Sequence, residues 1–221
     1  MQFNKCVTHR TTRCDVKRLC LFAHYDRDGI IDDYVIYYLK GLRNICERIL
    51  LVSDCDLLES EESKLAGLAE LVSASRHGEY DYGSWKRAYQ FSGGDLAHYD
   101  ELVLANDSCY APIYSFNGVF DRMIRVEADV WSPTATLDLE GKLHHLNSYF
   151  LVLKPAVFNS ASFREFLVSV KKENTKNEIV AKYELGLTRL LVKDGFKLKW
   201  IFAESDELLQ MPLMHGRYYN K

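Results

Sequence analysis

The amino-acid sequence predicts an α/β fold in which a Rossmann-type, mostly parallel sheet is flanked by helices. Short apolar runs of strand length alternate with longer segments whose apolar residues recur every three or four positions. Parallel strands need a crossover connection, usually a helix, so this alternation favours a sheet covered on both faces. The chain has only four prolines and no low-complexity linker, so nothing indicates an internal domain boundary.

The first half of the chain alternates regularly. Ile31, Val35, Tyr38 and Leu42 have the spacing of one helix face, and Pro112 suits the first turn of a helix. The apolar runs predict strands, and the amphipathic segments between them predict helices. The predicted strands are 18–23, 49–53 and 102–105, and the predicted helices are 30–45, 59–72, 84–91 and 112–124.

The second half continues the pattern after a polar stretch that contains His144 and His145. Two segments are amphipathic, and the second of them ends at Gly195, a residue type that commonly terminates helices. We expect a domain over residues 18–203, a polar N-terminal arm over 1–17 and a C-terminal tail over 204–221. The predicted strands are 130–132, 149–153 and 196–202, and the predicted helices are 162–170 and 176–192.

Composition excludes several classes of protein. The 221 residues carry a net charge of −3, which argues against binding to nucleic acid through a basic face. The six cysteines form no CxxC pair, which favours thiols in a reducing compartment. With no run of about 20 apolar residues and no secretory signal pattern, we expect a cytoplasmic protein. A peripheral contact with the inner face of the membrane stays open.

The segment from Arg76 to Tyr110 carries the strongest functional signal. Gly78 and Gly83 bracket Asp81 in a predicted loop, and Asp107 follows the apolar run 102–105. Open α/β sheets place ligand-binding groups beyond the carboxyl ends of their strands. Glycines allow close approach of a ligand to the backbone, and Lys86 on the next helix provides positive charge for a diphosphate. This pattern predicts a site for a nucleotide-activated sugar.

Asp54 follows the predicted strand 49–53, where a carboxylate hydrogen-bonds a base or ribose or simply forms a turn. His145 stands on a polar loop, where it either contacts an acceptor or a metal or has a structural role. Glu184 lies beside the apolar stripe of its predicted helix, so it either projects into a cleft or is solvated.

A strand followed by Asp26 and Asp28 resembles the nucleophile motif of haloacid-dehalogenase phosphatases, which act with Mg²⁺. His24 and Tyr25 displace Asp26 from the strand end, and the acidic pair that such enzymes carry on a later strand is reduced to Asp107. The other interpretations of this loop are a turn with a helix N-cap and a sugar-binding role.

Four blocks resemble the rhamnan synthesis protein F family, bacterial glycosyltransferases of cell-surface polysaccharide assembly. The blocks occur in the family's order, and the resemblance spans roughly residues 18–203. They are His24–Gly29, His77–Lys86, Ala105–Ser108 and Asn147–Phe150.

The resemblance implies a GT-A-like fold, in which a Rossmann-like sheet binds a nucleotide sugar. GT-A enzymes hold the donor diphosphate through Mg²⁺ or Mn²⁺ on an Asp-x-Asp motif, for which this chain has Asn106, Asp107 and Ser108. One acid remains, so Asp107 is the metal candidate and metal dependence stays open. The family also implies that Asn106 contacts the donor, that Asp81 lies near its ribose or base, and that Lys86 lies near phosphate.

Segment 183–195 is similar to the base-bearing motif of inverting GT-A transferases. In that motif the catalytic acid opens a helix that ends in a Gly-aromatic pair, and eleven positions separate Glu184 from Gly195. Glu184 therefore matches the general base, which must deprotonate an acceptor hydroxyl. Tyr183 replaces the acid that precedes the base in the family.

These features together predict a glycosyltransferase that moves a sugar from a nucleotide-diphosphate donor to a growing cell-surface polysaccharide. Rhamnose or another deoxysugar is expected on the family name alone, and the acceptor is an oligosaccharide or a lipid-linked glycan. Two alternatives stay open, namely a Mg²⁺-dependent phosphatase that uses Asp26 and Asp28, and a non-catalytic carbohydrate-binding module of the same fold.

Overall fold

Eight strands form one sheet in the computed structural model, which describes residues 16–93, 96–137 and 144–203. The predicted arm and tail lie outside these residues, apart from Val16 and Lys17. In chain order the strands are β1 (Arg18–His24), β2 (Arg48–Ser53), β3 (Glu70–Ala74), β4 (Glu101–Asn106), β5 (Val130–Leu137), β6 (His144–Leu146), β7 (Phe150–Leu153) and β8 (Leu198–Ala203).

The helices cover both faces of this sheet. Val180–Glu184 forms a single π-helical turn. The helices are α1 (Asp33–Arg43), α2 (Glu59–Ser63), α3 (Tyr80–Phe91), α4 (Phe116–Met123), α5 (Pro155–Phe158), α6 (Ala161–Val168), α7 (Lys176–Ile179) and α8 (Leu185–Lys193).

The strand order is β3-β2-β1-β4-β7-β5-β6, with β8 paired to β5. Strands β1 to β4 pair in parallel, β7 runs antiparallel between β4 and β5, and β6 runs antiparallel to β5. Because β8 is parallel to β5, all strands except β6 and β7 point the same way. The predicted mostly parallel α/β fold is therefore confirmed.

Alternating side chains of each central strand enter two different apolar clusters. On β1, Leu19 and Leu21 pack with the helices α3 and α6, while Cys20 and Phe22 pack with α1 and α4 on the other face. Every residue of β1 is buried, as expected for a strand with both faces covered.

Strands β1, β2 and β4 agree with the predicted apolar runs to within one residue at each end. The helix predicted over 59–72 is wrong, because α2 ends at Ser63 and β3 begins at Glu70. Gly67 between them has a φ of 74°, a left-handed conformation that glycine adopts without strain and that breaks the helix. The helix predicted from Pro112 begins only at Phe116.

Strand register brings several chain segments to one edge. His24 pairs with Ser53 at the carboxyl ends of β1 and β2, and Ala23 pairs with Asn106 on β4. The antiparallel β7 adds its amino end there, because Phe150 pairs with Ala105. Residues that follow β1, β2 and β4 therefore meet residues that precede β7, which is where α/β sheets bind ligands.

Candidate functional site

A cavity of about 620 Å³ opens at this edge, a size within the range of small-molecule sites. Its wall comes from the ends of β1, β2 and β4, the start of α3, the segment before β7, and the connection from α6 to α7. Six of the residues selected from the sequence line it: His24, Asp54, Asp81, Asn106, Asp107 and Glu184.

Asp54 organises the backbone at the base of the cavity. The residue is buried, and its Oδ1 accepts the backbone N–H groups of His77 at 2.6 Å and Gly78 at 2.7 Å. Gly78 has a φ of 69°, so the turn that presents these two donors depends on glycine. Asp54 thus ties the end of β2 to the loop after β3, the turn-forming role that its sequence context allowed.

Asp81 lies in the first turn of α3, so its predicted place in a loop is wrong. Tyr80, the first residue of α3, has a φ of 56°, a conformation that is uncommon for a residue with a side chain. Asp81 is half-buried and lines the cavity. This burial raises the pKa of Asp81 to about 6, with a further increase from the charge of Glu184.

Asn106 links strand β4 to helix α3. Its Nδ2 donates to Asp81 Oδ2 at 2.7 Å, and its Oδ1 accepts the N–H of Ser108 at 3.1 Å. The bond to Asp81 favours the charged carboxylate and opposes the effect of burial. Trp85 strengthens the same connection, since its indole N–H donates to the Ala105 carbonyl at 3.0 Å.

Asp107 follows β4, and its side chain is 9% exposed. Burial raises the pKa of Asp107 to about 7, and the charge of Asp81 adds to this increase. The N–H of Tyr25 donates to Oδ2 at 2.9 Å and opposes the increase. His24 Nε2 lies 3.7 Å from the same oxygen, but burial lowers the pKa of His24 to about 4, so the imidazole is neutral at pH 7. The pair is therefore not a salt bridge at neutral pH.

Glu184 ends the π-helical turn and directly precedes α8. Its Oε1 accepts the N–H of Ser148 at 3.3 Å, and both residues line the cavity. A π-helical turn within a helix often occurs at a functional site, because the extra residue changes the direction of a side chain. The position of Glu184 in the cavity wall agrees with the expectation that its side chain projects into a cleft.

Lys86 is not among the described residues that line the cavity. Its Nζ donates to the Val170 carbonyl at 2.6 Å and lies 2.5 Å from Glu79 Oε2, which also pairs with Arg87. The expected contact of Lys86 with phosphate therefore has no support in these interactions. Among the described residues that line the cavity, the cations are Arg76, Lys172 and Lys176.

Lys172 belongs to the connection from α6 to α7, and Lys176 begins α7 directly after it. Tyr183 fixes this connection, because its hydroxyl accepts the N–H of Lys171 at 3.0 Å and donates to Glu173 at 2.9 Å. Lys172 then reaches across to the loop after β3, where its Cε would lie 3.4 Å from a Cβ added at Gly78. The only sequence signal was the set of lysines in 171–176 itself.

Asp26, Asp28 and His145 are not among the described residues that line the cavity. Asp26 Oδ1 accepts the backbone N–H groups of Asp28 at 2.7 Å and Ile30 at 3.1 Å, and Asp28 is exposed. These two hydrogen bonds agree with the interpretation of this loop as a turn. His145 lies on β6, where it pairs with Thr136 of β5.

Asp107 fits a cation only together with ligand phosphates. The described ranges contain no group of three or more His, Cys, Asp or Glu residues arranged to hold a metal ion. Mg²⁺, however, is often bound through one or two carboxylates completed by substrate phosphates and water. A carboxyl group whose pKa is raised by burial and by a neighbouring acid favours such a partner, because positive charge stabilises its ionised form.

None of the helices within the described ranges has the length and apolar character needed to cross a membrane.

Solved structures that resemble this chain include 4-diphosphocytidyl-2C-methyl-D-erythritol synthase from Anaerococcus prevotii, which is 9% identical. The match covers 89% of this chain and 92% of that chain, with a TM-score of 0.48. Core-mannan synthase A from Aspergillus fumigatus in its Mn/GDP form is 12% identical, with 89% and 74% covered and a TM-score of 0.43. Likeness at this level carries no conclusion about activity.

One curated relative is the uncharacterized protein y4gN of Sinorhizobium fredii, which is 24% identical over 191 residues. The match covers 86% of this chain and 50% of the relative, so the chain spans about half the length of that protein. The family model for rhamnan synthesis protein F matches residues 49–220, which include all the cavity-lining residues named above except His24 and Tyr25. The chain belongs to the rhamnan synthesis protein F family.

Proposed function

We propose that this chain is a glycosyltransferase domain that moves a sugar from a nucleoside-diphosphate donor to a surface polysaccharide, with the donor bound in the cavity. The observation that carries the proposal is the convergence of Asp81, Asn106, Asp107 and Glu184 on that cavity. They come from a helix, a strand end and a π-helical turn that are distant in sequence. Membership of a polysaccharide-synthesis family supports the same conclusion.

The donor's sugar and nucleotide would contact the side of the cavity formed by Asp81 and Asn106. Their hydrogen bond holds both side chains in place and leaves one carboxylate oxygen, Oδ1, outside that bond to accept a hydroxyl or base N–H. Rhamnose or another deoxysugar is the proposed sugar, and it rests on the family description.

The diphosphate would lie beside Asp107 and the cavity-lining cations Arg76 and Lys172. Positive charge there stabilises the charge that develops on the leaving diphosphate. A Mg²⁺ or Mn²⁺ ion held by Asp107 and by the phosphates would supply further neutralisation. Arg76 and Lys172 line the cavity and Lys86 does not, so these two cations are the proposed phosphate contacts.

Glu184 would act as the general base for an inverting transfer. Its carboxylate accepts the proton of the acceptor hydroxyl as that oxygen attacks the anomeric carbon, and the diphosphate leaves from the opposite side. The Ser148 N–H, 3.3 Å from Oε1, orients the carboxylate in the cavity wall. The acceptor is an oligosaccharide or a lipid-linked glycan.

The phosphatase alternative receives no support from geometry, since Asp26 accepts two backbone N–H groups in its own loop. A non-catalytic carbohydrate-binding module is the remaining alternative. It predicts sugar binding without consumption of a nucleotide donor.

Isothermal titration calorimetry with a panel of nucleoside diphosphates, with and without Mn²⁺, tests the proposal. We expect saturable binding of one nucleoside diphosphate, tightened by Mn²⁺, and weaker binding of inorganic diphosphate. Binding of phosphate or diphosphate alone would instead support the phosphatase. An absence of nucleotide binding would support the carbohydrate-binding module.

A further inference from the structure

An exposed aromatic surface lies next to the cavity, on the loop 107–115 that connects β4 to α4. Three large side chains of this loop project into solvent: Tyr110 is 80% exposed, Ile113 is 83% exposed and Tyr114 is 84% exposed. Tyr37 on α1 is also exposed. Clusters of exposed apolar side chains often mark interaction sites, whereas isolated ones need no explanation.

The loop is held firmly, so the exposure of these residues is not a result of loose packing. Cys109 hydrogen-bonds the side chain of Tyr38, and Ala111 packs against the apolar cluster on the α1 face. Pro112 lies directly on Gly41 of α1, where an added Cβ would come within 2.8 Å of Pro112 Cδ. Residues on both sides of Tyr110 are thus anchored, while Tyr110 itself projects outward.

The aromatic surface adjoins the cavity through the first residues of its own loop, and Tyr34 of α1 packs against it. The rings of Tyr34 and Tyr110 are 4.7 Å apart in an edge-on arrangement. Burial raises the pKa of Tyr34, and the charge of Asp107 raises it further. Asp107 and Ser108, which begin the same loop, line the cavity.

The charge around this surface favours a neutral ligand. Asp26 and Asp32 also raise the pKa of Tyr34, and Asp33 begins α1 beside it. An anionic membrane leaflet attracts basic segments and is repelled by such an acidic border. Tyrosine, in contrast, offers both an apolar ring face and a hydroxyl, which suits a sugar with apolar C–H faces and polar edges.

We propose that Tyr110 and Tyr114, with Tyr37, form a binding surface for the neutral oligosaccharide acceptor, which extends from this surface into the cavity. The inference rests on the proposed function, since an acceptor must bring its hydroxyl to Glu184 in the same cavity that holds the donor. Tyr110 and Tyr114 contact sugar rings by stacking, so they determine acceptor affinity and leave donor affinity unchanged.

Saturation-transfer NMR with a purified neutral rhamnan oligosaccharide tests this surface, on the full chain with and without nucleoside diphosphate. We expect saturable binding by the wild type and at least about tenfold weaker binding by Tyr110→Ala and by Tyr114→Ala. Tyr110→Phe should keep most of the affinity, because the ring is retained. Phe91→Ala is the control, since Phe91 is exposed at the distant end of α3, on the other face of the sheet.

Circular dichroism melting checks that each variant is folded, and Tyr114→Ala provides a second variant should Tyr110→Ala unfold. Unchanged oligosaccharide binding in both folded variants would overturn the inference. Binding of the wild type only to phosphatidylglycerol vesicles, and not to the oligosaccharide, would also overturn it. Calorimetry on the same samples separates the two proposals, because nucleotide binding without oligosaccharide binding contradicts only the aromatic surface. Oligosaccharide binding without nucleotide binding contradicts only the donor site.

Discussion

Asn106 donates a hydrogen bond of 2.7 Å to the carboxylate of Asp81, and this bond joins the end of the central strand β4 to the first turn of α3. The two residues are 25 positions apart, and both line the cavity. Removing the amide leaves a partly buried carboxyl group without its side-chain donor, which costs about 1–3 kcal/mol.

Asn106→Ala should therefore lower the free energy of unfolding by about 1–3 kcal/mol and weaken nucleotide binding about tenfold. Urea denaturation and calorimetry measure the two effects. Asn159→Ala is the matched control, because Asn159 is exposed beyond α5 and away from the cavity. Wild-type nucleotide affinity in Asn106→Ala would show that the Asp81–Asn106 pair does not support the donor site.

Asp107→Asn should stabilise the protein in a pH-dependent way. Because the folded-state pKa of about 7 exceeds the usual 3.8, the folded protein binds more protons than the unfolded chain between these values. Stability from this group is thus lost as pH rises from about 4 to 7. The variant lacks this loss, so its Tm advantage should be near zero at about pH 3 and about 3 °C or more at pH 8.

His24, with its pKa lowered to about 4, contributes a slope of opposite sign below pH 6.5, but that slope is common to wild type and variant. Differential scanning calorimetry at several pH values measures the Tm difference. A difference that does not change with pH would mean that Asp107 titrates normally. The variant should also lose the tightening of nucleotide binding by Mn²⁺.

Gly83→Ala should destabilise the chain although Gly83 lies within a helix. An added Cβ would lie 2.2 Å from Glu79 Cβ and 3.1 Å from His77 Cε1, so the turn beside the cavity would have to move. We expect a loss of about 1–3 kcal/mol in the free energy of unfolding. Gly118→Ala in α4 meets nothing within 4 Å and should gain about 1 kcal/mol from helix propensity. Equal effects in the two variants would contradict this account.

Lys172 and Lys86 should respond differently to substitution. Lys172→Ala removes a cavity cation and should weaken nucleoside-diphosphate binding about tenfold, most clearly at low salt. Lys86→Met removes the partner of Glu79 and Val170, so it should reduce stability while nucleotide affinity persists. Lys193→Ala, an exposed lysine at the end of α8, controls for the change in net charge. Weaker nucleotide binding by Lys86→Met, together with unchanged binding by Lys172→Ala, would show that Lys86 and not Lys172 contacts phosphate.

The sequence predicted the central strands well, because β1, β2 and β4 are continuous apolar runs with both faces buried. The edge strand β3 was missed, since its residues are at most half-buried and follow a segment with helical periodicity. Gly78 and Gly83 disfavour helix around Asp81, so the sequence predicts a loop there, whereas tight packing at Gly83 requires a glycine within α3.

Side chains at strand ends could also be predicted, as the convergence of Asp54, Asn106 and Asp107 shows. Their positions follow from the parallel order of the strands alone. The cations could not be predicted in this way. Lys172 reaches the cavity only because Tyr183 fixes the preceding residue Lys171, a contact between segments that no local pattern encodes.

Sugar transfer by Glu184→Gln tests the central claim most directly. The measurement is the initial rate of transfer from a dTDP-linked deoxysugar to a rhamnan oligosaccharide, with Glu165→Gln on the exposed face of α6 as the control. Glutamine keeps the size of the side chain and its acceptor oxygen for the Ser148 N–H, so folding and nucleotide affinity should be retained. The account predicts a fall in rate of about two to four orders of magnitude, the usual effect of losing a general base. A rate within a few-fold of wild type would show that Glu184 is not the base.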